Sequence, residues 1–488
     1  MKRVLKLITA LAATVLLCAG CSTYRYDYDY RDEVTEYAMI AQSGDLVKLN
    51  EYPNLTYVDL RGSTCYDEIL AYAQANPHVT VRYSVQLGQK RFNQDTVDIV
   101  LNGYAVTYEA LADNLKYLPN AKTVHIHQAE LQEEELTTLR EAYPQIDFTY
   151  SVEIAGQRYE HTVTELNLSR LSPKEIDEAI HGISLLPQLT DVQLMSGEGN
   201  SNLALSDVKR LVDAFPSVNF HYTFQLFGQK ISILAQELVF DSVEIGNDGV
   251  AAIREALDVM TSCTYVKLDS CGIDDDVMVQ LRDDYPDKQV VWRVFAGKFS
   301  ILTDEEMLRM TYSIGDDDVA GLKYCNKVKY LDMSSSKITN ISFVAHMPQL
   351  ECVILTLTKI NDLTPLTNCP NLTWLELSNC SSIRDLTALS AMQSLKYLNI
   401  SHTKVTNLSA LDSVPLERFN CVKSTVKTSV LDSFVAKHPD CYTTSKGSAL
   451  GYGWRYNDKD QKEPFPYYAQ LRTIFRYDDK DFRGNHKE

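Results

Sequence analysis

Residues 350–366 read LECVILTLTKINDLTPL. Aliphatic residues stand at places 1, 4, 6, 11, 14 and 17 of this run (Leu350, Val353, Leu355, Ile360, Leu363, Leu366), and Thr358 stands at place 9. Val353 and Leu355 are two apart, so in a short strand they point to the same side. Places 11, 14 and 17 suit a tight, partly helical return that aims its apolar side chains into the same core. The small polar residue at place 9 can hydrogen-bond the backbone where the strand ends. One such coil cannot bury its apolar side alone, so coils must stack.

Working outward, the frame starts again at Val328, Leu350, Leu372, Leu395 and Leu416, with spacings of 22, 22, 23 and 21 residues. Place 9 is filled by Ser336, Thr358, Cys380, Thr403 and Ser424. Self-similarity at this period decides the architecture. The pattern resembles the leucine-rich repeat family, and the 22-residue period is most similar to the bacterial internalin type. The resemblance implies an α/β solenoid: a curved parallel sheet with a helical or irregular outer face, recognising macromolecules through its concave side.

Upstream a longer unit repeats. Pro77, Pro144, Pro216 and Pro286 are separated by 67, 72 and 70 residues, and YSVQLGQ (83–89), YSVEIAGQ (150–157), YTFQLFGQ (222–229) and a looser WRVFAG (292–297) follow them. An amphipathic pattern precedes each proline, as in Leu136, Leu139 and Ala142, and alternating apolar residues follow. Each unit of about 70 residues thus predicts two solenoid turns, one strand being extended into a hairpin. A separate α/β domain of repeated modules is the competing reading. The expected organisation is a signal segment at 1–20, a polar tether at 21–45, long repeats at 46–315, short repeats at 316–441 and an aromatic cap at 442–488.

The N-terminus has its own signature. Lys2, Arg3 and Lys6 precede the apolar run Leu7–Leu17, which is shorter than the ~20 residues needed to span a bilayer. Ala19-Gly20-Cys21 resembles the lipobox of bacterial lipoproteins, although Cys18 stands where that family has an aliphatic residue. The resemblance implies cleavage before Cys21, lipid attachment at Cys21, and a place in the bacterial cell envelope facing outside the cytoplasm. An ordinary secretory signal or an uncleaved anchor are the alternatives. Tyr24, Tyr26, Tyr28 and Tyr30 alternate with charges, as a solvated tether or as one edge strand.

Charge narrows the partners. The net charge is −18, and −21 without the first twenty residues, which opposes phosphate backbones and argues against nucleic acid. No nucleophile elbow, zinc-protease string or phosphate loop occurs, so neither a catalytic site nor a cofactor is expected. A hydrolase within the long repeats is the enzyme-class rival. His125 and His127 share one side of a predicted strand without an evident third ligand, so no metal is assigned to them. Asp274–Asp276 and Asp316–Asp318 stand at expected helix starts, where acids favour the dipole, with calcium as the alternative. The nine cysteines after Cys21 read mainly as core thiols, with one or two bridges left open.

The strand face remains as the candidate site. If places 4 and 6 face the core, places 3, 5 and 7 line the opposite side. Place 3 carries Tyr330, Trp374 and Tyr397, and place 5 carries Asp332, Glu376 and Asn399. Aromatic residues flanked by hydrogen-bonding groups resemble a protein-binding strip; a strand-forming bias is the plainer account. Glu376, taken as facing solvent, should be replaceable at almost no cost in stability. The second candidate is the aromatic tail, where Trp454 and Tyr456 would bind an envelope glycan or wall polymer.

Overall fold

The computed structural model describes residues 30–102, 106–127, 133–197, 199–312, 314–457, 463–482 and 484–485. Segment 1–20, Cys21 and the tyrosines at 24, 26 and 28 lie outside the described residues. The chain divides into two compact units: Met1–Leu166 with Asp177–Leu189, and Asn167–Ile176 with Thr190–Glu488.

In the first unit, Glu36–Ala38 pairs in parallel with Tyr57–Asp59, which pairs with Thr80–Arg82. The folded part therefore begins inside the stretch read as a tether. Tyr37, from that stretch, packs on Tyr52 at 4.9 Å, while Tyr30 lies in a 3-10 turn, Tyr30–Glu33, and not in an edge strand. A hairpin follows, Ser84–Leu87 with Lys90–Asn93. The next turn repeats the plan on a larger scale. Asp98–Asn102, Thr123–His127 and Asp147–Ile154 run parallel, and the last folds back on Gln157–Glu160. Leu136 and Leu139 lie on one side of the helix Glu133–Ala142 and are buried, as their spacing predicts.

The second unit opens with Asp191–Gln193 beside Asn219–His221 and the hairpin Thr223–Leu226 with Gln229–Ser232. A four-stranded sheet follows, with Glu237–Asp241, Tyr265–Asp269 and Gln289–Ala296 parallel and Phe299–Leu302 antiparallel at the edge. From Met307 the short coils take over. Seven parallel strands stack in sequence order: Met307–Arg309, Tyr330–Asp332, Cys352–Ile354, Trp374–Glu376, Tyr397–Asn399, Arg418–Asn420 and Tyr442–Thr444. The array thus starts ahead of residue 316 and its last strand lies past 441. Most of the returns are 3-10 turns, such as Ser342–His346 and Thr364–Asn368.

The frame explains the packing residue by residue. Val353, Leu355, Ile360, Leu375, Leu377, Leu398 and Ile400 are all 0% exposed. At place 9, the Thr358 hydroxyl donates to the Leu355 carbonyl at 2.8 Å and the Thr403 hydroxyl to that of Ile400 at 2.7 Å. Place 8 shows what drives the turn. Ser335, Leu357, Asn379, His402 and Lys423 all take left-handed backbone, with φ between 53° and 61°. The bend lets the N–H of Ser335, Leu357, Asn379 and His402 reach the next coil, as in Ser335 to Thr356 at 2.7 Å and Asn379 to Ser401 at 2.8 Å. Ser242, Ser270 and Tyr312 repeat the same bend upstream, with φ of 55°, 55° and 60°. Two long-repeat strands, Glu237–Asp241 and Tyr265–Asp269, therefore end in the same way as the short ones.

The nine described cysteines are free thiols, eight of them buried, so the bridges left open by the sequence are not formed. Burial pushes the Cys325 and Cys369 thiols up to about 12. The array closes on the helix Thr428–Lys437, whose Phe434 packs on Phe419 at 4.8 Å, and on the strand Tyr442–Thr444.

Candidate functional site

The places 3 and 5 of the short coils do form one strip. Strand pairing puts Tyr330, Cys352, Trp374, Tyr397 and Arg418 in one column, and Asp332, Ile354, Glu376, Asn399 and Asn420 in the other. The strip is not open. Trp374, Glu376 and Asn399 are 0% exposed and Asp332 is 2% exposed. The chain's own residues between 445 and 485, as far as they are described, lie across it as a strap. The tail was expected to cap the last coil; it covers the strand face instead.

Each column meets a matching group on the strap. The Trp374 ring sits 4.4 Å from Trp454 and 5.6 Å from Tyr467, and Tyr397 lies 5.0 Å from Tyr467 and 5.3 Å from Phe465. Glu376 accepts the Trp454 indole N–H at 2.6 Å and the Thr356 hydroxyl at 2.8 Å, and pairs with the Arg455 guanidinium at 2.5 Å. Asn399 donates to the Ala449 carbonyl at 2.8 Å, and Arg418 to the Trp454 carbonyl at 2.6 Å. Further along, the helix Pro466–Ile474 buries Tyr468 and Leu471, and Phe475 behind it meets Tyr330 edge-on at 6.4 Å. The Tyr477 phenol donates to Asp332 at 2.5 Å. Arg309 ends the crossing, donating to the carbonyls of Phe475 and Arg476 at 3.2 and 3.1 Å.

Two glycines show how closely the strap is fitted. A side chain at Gly453, where φ is +86°, would meet Thr444 Cγ2 at 3.0 Å. At Gly484, where φ is +90°, it would collide with the Arg309 carbonyl oxygen. Only glycine combines that backbone with that approach.

Burial sets the electrostatics of the face. Desolvation holds the Asp332 carboxyl above the usual range despite hydrogen bonds from Ser334 and Tyr477. Desolvation and the Glu417 carboxylate push the Tyr397 phenol up to about 12, and desolvation and Glu351 do the same for Tyr330. The expectation that Glu376 faces water is thus corrected: it is the buried anchor of the strap. The tail candidate changes as well. Trp454 is 0% exposed, and Tyr456, partly buried, accepts a hydrogen bond from Arg472 at 3.1 Å. The Trp454 ring offers no free face that a sugar would stack on.

The other singled-out residues are engaged by protein. His125 and His127 meet at 3.2 Å, with the Thr149 hydroxyl 2.7 Å from His125. Burial, and then His125, lower the His127 pKa. Among the described residues no group of three His, Cys, Asp or Glu could hold a metal ion. Asp275 accepts the Trp292 indole at 2.8 Å, and Asp316 accepts the Thr339 backbone N–H at 2.7 Å. A hollow of about 440 Å³ beside Thr264, Arg282 and Asp304 is lined by Lys288, whose ammonium already donates to the Cys263 carbonyl at 3.0 Å. No described helix is long and apolar enough to cross a membrane.

Comparison with known proteins agrees with the coil geometry. Residues 370–413 match the family model described as "Leucine Rich repeats (2 copies)". No curated protein matches the sequence. Among solved structures, an internalin from Listeria monocytogenes is 14% identical, covering 85% of this chain and 81% of its own, with a TM-score of 0.25. A second Listeria monocytogenes internalin, C2, is 20% identical over 30% of this chain and 75% of its own, with a TM-score of 0.24. A leucine-rich repeat protein of Leptospira interrogans is 13% identical over 83% and 93%, with a TM-score of 0.28. The stacked parallel coils are a leucine-rich repeat solenoid, and the family match falls on its third and fourth short repeats.

Proposed function

We propose that this is a non-catalytic binding protein of the bacterial cell envelope, lipid-anchored at Cys21, which recognises a protein partner through the strand face of its short repeats. One observation carries the reading. The face grips a polypeptide by side-chain recognition, using an aromatic strip, the Glu376 carboxylate and the Asn399 amide. Repeat arrays are interaction scaffolds because they offer many aligned side chains and no enclosed chamber for chemistry. The burial of Trp454 favours a protein partner over a glycan on the tail.

Two measurements test it. Cys21→Ala should shift the protein from the membrane to the soluble fraction or leave the signal uncleaved, because acyl chains supply the affinity for the bilayer. Unchanged fractionation with an unmodified N-terminal mass refutes the anchor. A photo-crosslinker at Leu357, 54% exposed at the end of its strand, should label one polypeptide in the envelope. Labelling confined to glycan refutes the protein partner.

A further inference from the structure

The strap does two things that a structural cap would not. First, it does not close the end of the array. The end of the coil core is already sealed by Thr428–Lys437 and by the strand Tyr442–Thr444, with Phe434 2% exposed on Phe419. The strap lies on the other side of the sheet, over places 3 and 5, where the exposed coil edge is not. Second, it leaves part of the face unanswered. The Trp374 indole N–H and the Ser401 hydroxyl are both in residues of 0% exposure, and neither has a hydrogen-bond partner among the described residues. Trp374 stands in the strip at place 3, whereas Ser401, at place 7, lies beyond the end of its strand and outside the two columns. The Trp374 indole N–H lies inside the best aromatic contact of the face, where a packed internal surface rarely leaves a donor without an acceptor. A face shaped for another ligand, and shared with a substitute, would do so.

The substitute also tells what the ligand carries. Its central contact is a Trp-Arg pair: the Trp454 ring packs at a tilt on Trp374 while its indole and the Arg455 guanidinium both go to Glu376. Toward the C-terminal coils the strap offers main-chain carbonyls, Ala449 to Asn399 and Trp454 to Arg418. We infer that this strand face is a peptide-binding site held occupied by the chain's own strap, and that its ligand in trans is a polypeptide segment presenting an aromatic ring next to a guanidinium, with an acceptor for the Trp374 indole. The inference rests on the binding reading above and adds the partner's chemistry and its control. The strap competes as a tethered ligand at an effective concentration on the order of millimolar. A partner must therefore bind better than the strap does, and the unanswered Trp374 donor is where the gain is available.

The experiment uses the full chain and, as probe, a fluorescent synthetic peptide with the sequence of residues 446–485. Wild type should bind it weakly, because the strap is in place. Trp454→Ala with Arg455→Ala, which loosens the strap, should bind it at least tenfold more tightly by anisotropy. Adding Glu376→Gln to that variant should remove the gain, and a peptide carrying the same two alanines should not bind at all. On wild type, native-state hydrogen exchange should show the amides of 465–477 exchanging at least tenfold faster than those of Leu331, Val353 and Leu375, since strap opening needs no unfolding of coils. Equal protection of strap and strands overturns the inference, because the strap is then part of the core. So does a folded, loosened variant that takes up no peptide. Neither readout needs the envelope partner, so this inference can fail while partner capture succeeds, and the reverse.

Discussion

Replacing Glu376 is the sharpest probe of how the face is held. Its carboxylate is 0% exposed and serves the Trp454 indole, the Arg455 guanidinium and the Thr356 hydroxyl together. Glu376→Ala leaves all three without their acceptor. Removing one partner of a buried ion pair costs about 3–5 kcal/mol. Arg455 keeps 18% of its side chain exposed and can regain some water, which places the loss at the lower end, about 3 kcal/mol. The orphaned indole adds roughly 1 kcal/mol. The loss has a ceiling, because once the strap lets go the remaining groups reach solvent. Two of the three tryptophans, Trp374 and Trp454, sit in this cluster. A urea titration followed by tryptophan emission should therefore show an early red-shifting step that wild type lacks, ahead of array unfolding. Glu376→Gln, which keeps two of the hydrogen bonds, should fall between. Glu376→Gln with Arg455→Met, which removes both charges at similar volume, should recover most of the loss. If Glu376→Ala melts within about 0.5 kcal/mol of wild type, with unchanged emission, the pair does not hold the strap and the reasoning fails.

Three further outcomes follow from the same geometry. Leu398→Asp buries an unpaired carboxylate between coils and should abolish the cooperative unfolding of the array by circular dichroism, whereas a folded variant would refute the inward assignment of place 4. Asp332→Asn should raise the thermal midpoint at pH 7 and flatten its pH dependence. The folded Asp332 pKa lies above the ordinary 3.8, chiefly through burial. The folded state therefore binds the proton more readily, so the penalty is absent below the unfolded value and sets in as pH rises through the folded one. An unchanged profile refutes this. Among the nine described cysteines, iodoacetamide at pH 8 should label Cys65, the one that is not buried, well before the others; early labelling of Cys352 would mean that the face opens freely.

What the sequence made legible, and what it hid, divides along periodicity. The 22-residue frame placed Leu375 and Leu398 in the core and aligned Trp374 with Tyr397, because stacked coils reproduce one register. The hairpins after the prolines were equally readable, since Tyr150 to Ile154 alternate and the chain must turn at Ala155-Gly156. The shared left-handed bend was harder to see. Ser242 and Ser270 occupy the same place as Ser335, but no residue type marks that place: it holds Ser, Leu, Asn, His and Lys in the short coils. Backbone hydrogen bonds to the next coil hold the bend, not a glycine.

The strap was hidden for a different reason. A period says which residues share a side of the sheet; it says nothing of what lies opposite, because the opposing segment has no period of its own. Yet a signal of complementarity was present. The tail holds ten aromatic residues and nine Lys or Arg on an acidic chain, and the strand face holds an aromatic column beside Asp332 and Glu376. Each of those acids sits between apolar neighbours in the strand, where solvent exposure of one column would also expose Trp374 and Tyr397. An exposed strip of that composition is costly to leave uncovered, and acids inside it have value only if a donor arrives with the covering surface. Trp454 and Arg455 bring both the ring and the donors. The same logic makes the cover specific. An apolar segment could bury Trp374 and Tyr397, but it would leave Glu376 charged and unpaired at the centre of the face, at a cost of several kcal/mol. A cation beside an aromatic ring, as Arg455 beside Trp454 supplies, answers both the carboxylate and the aromatic column at once.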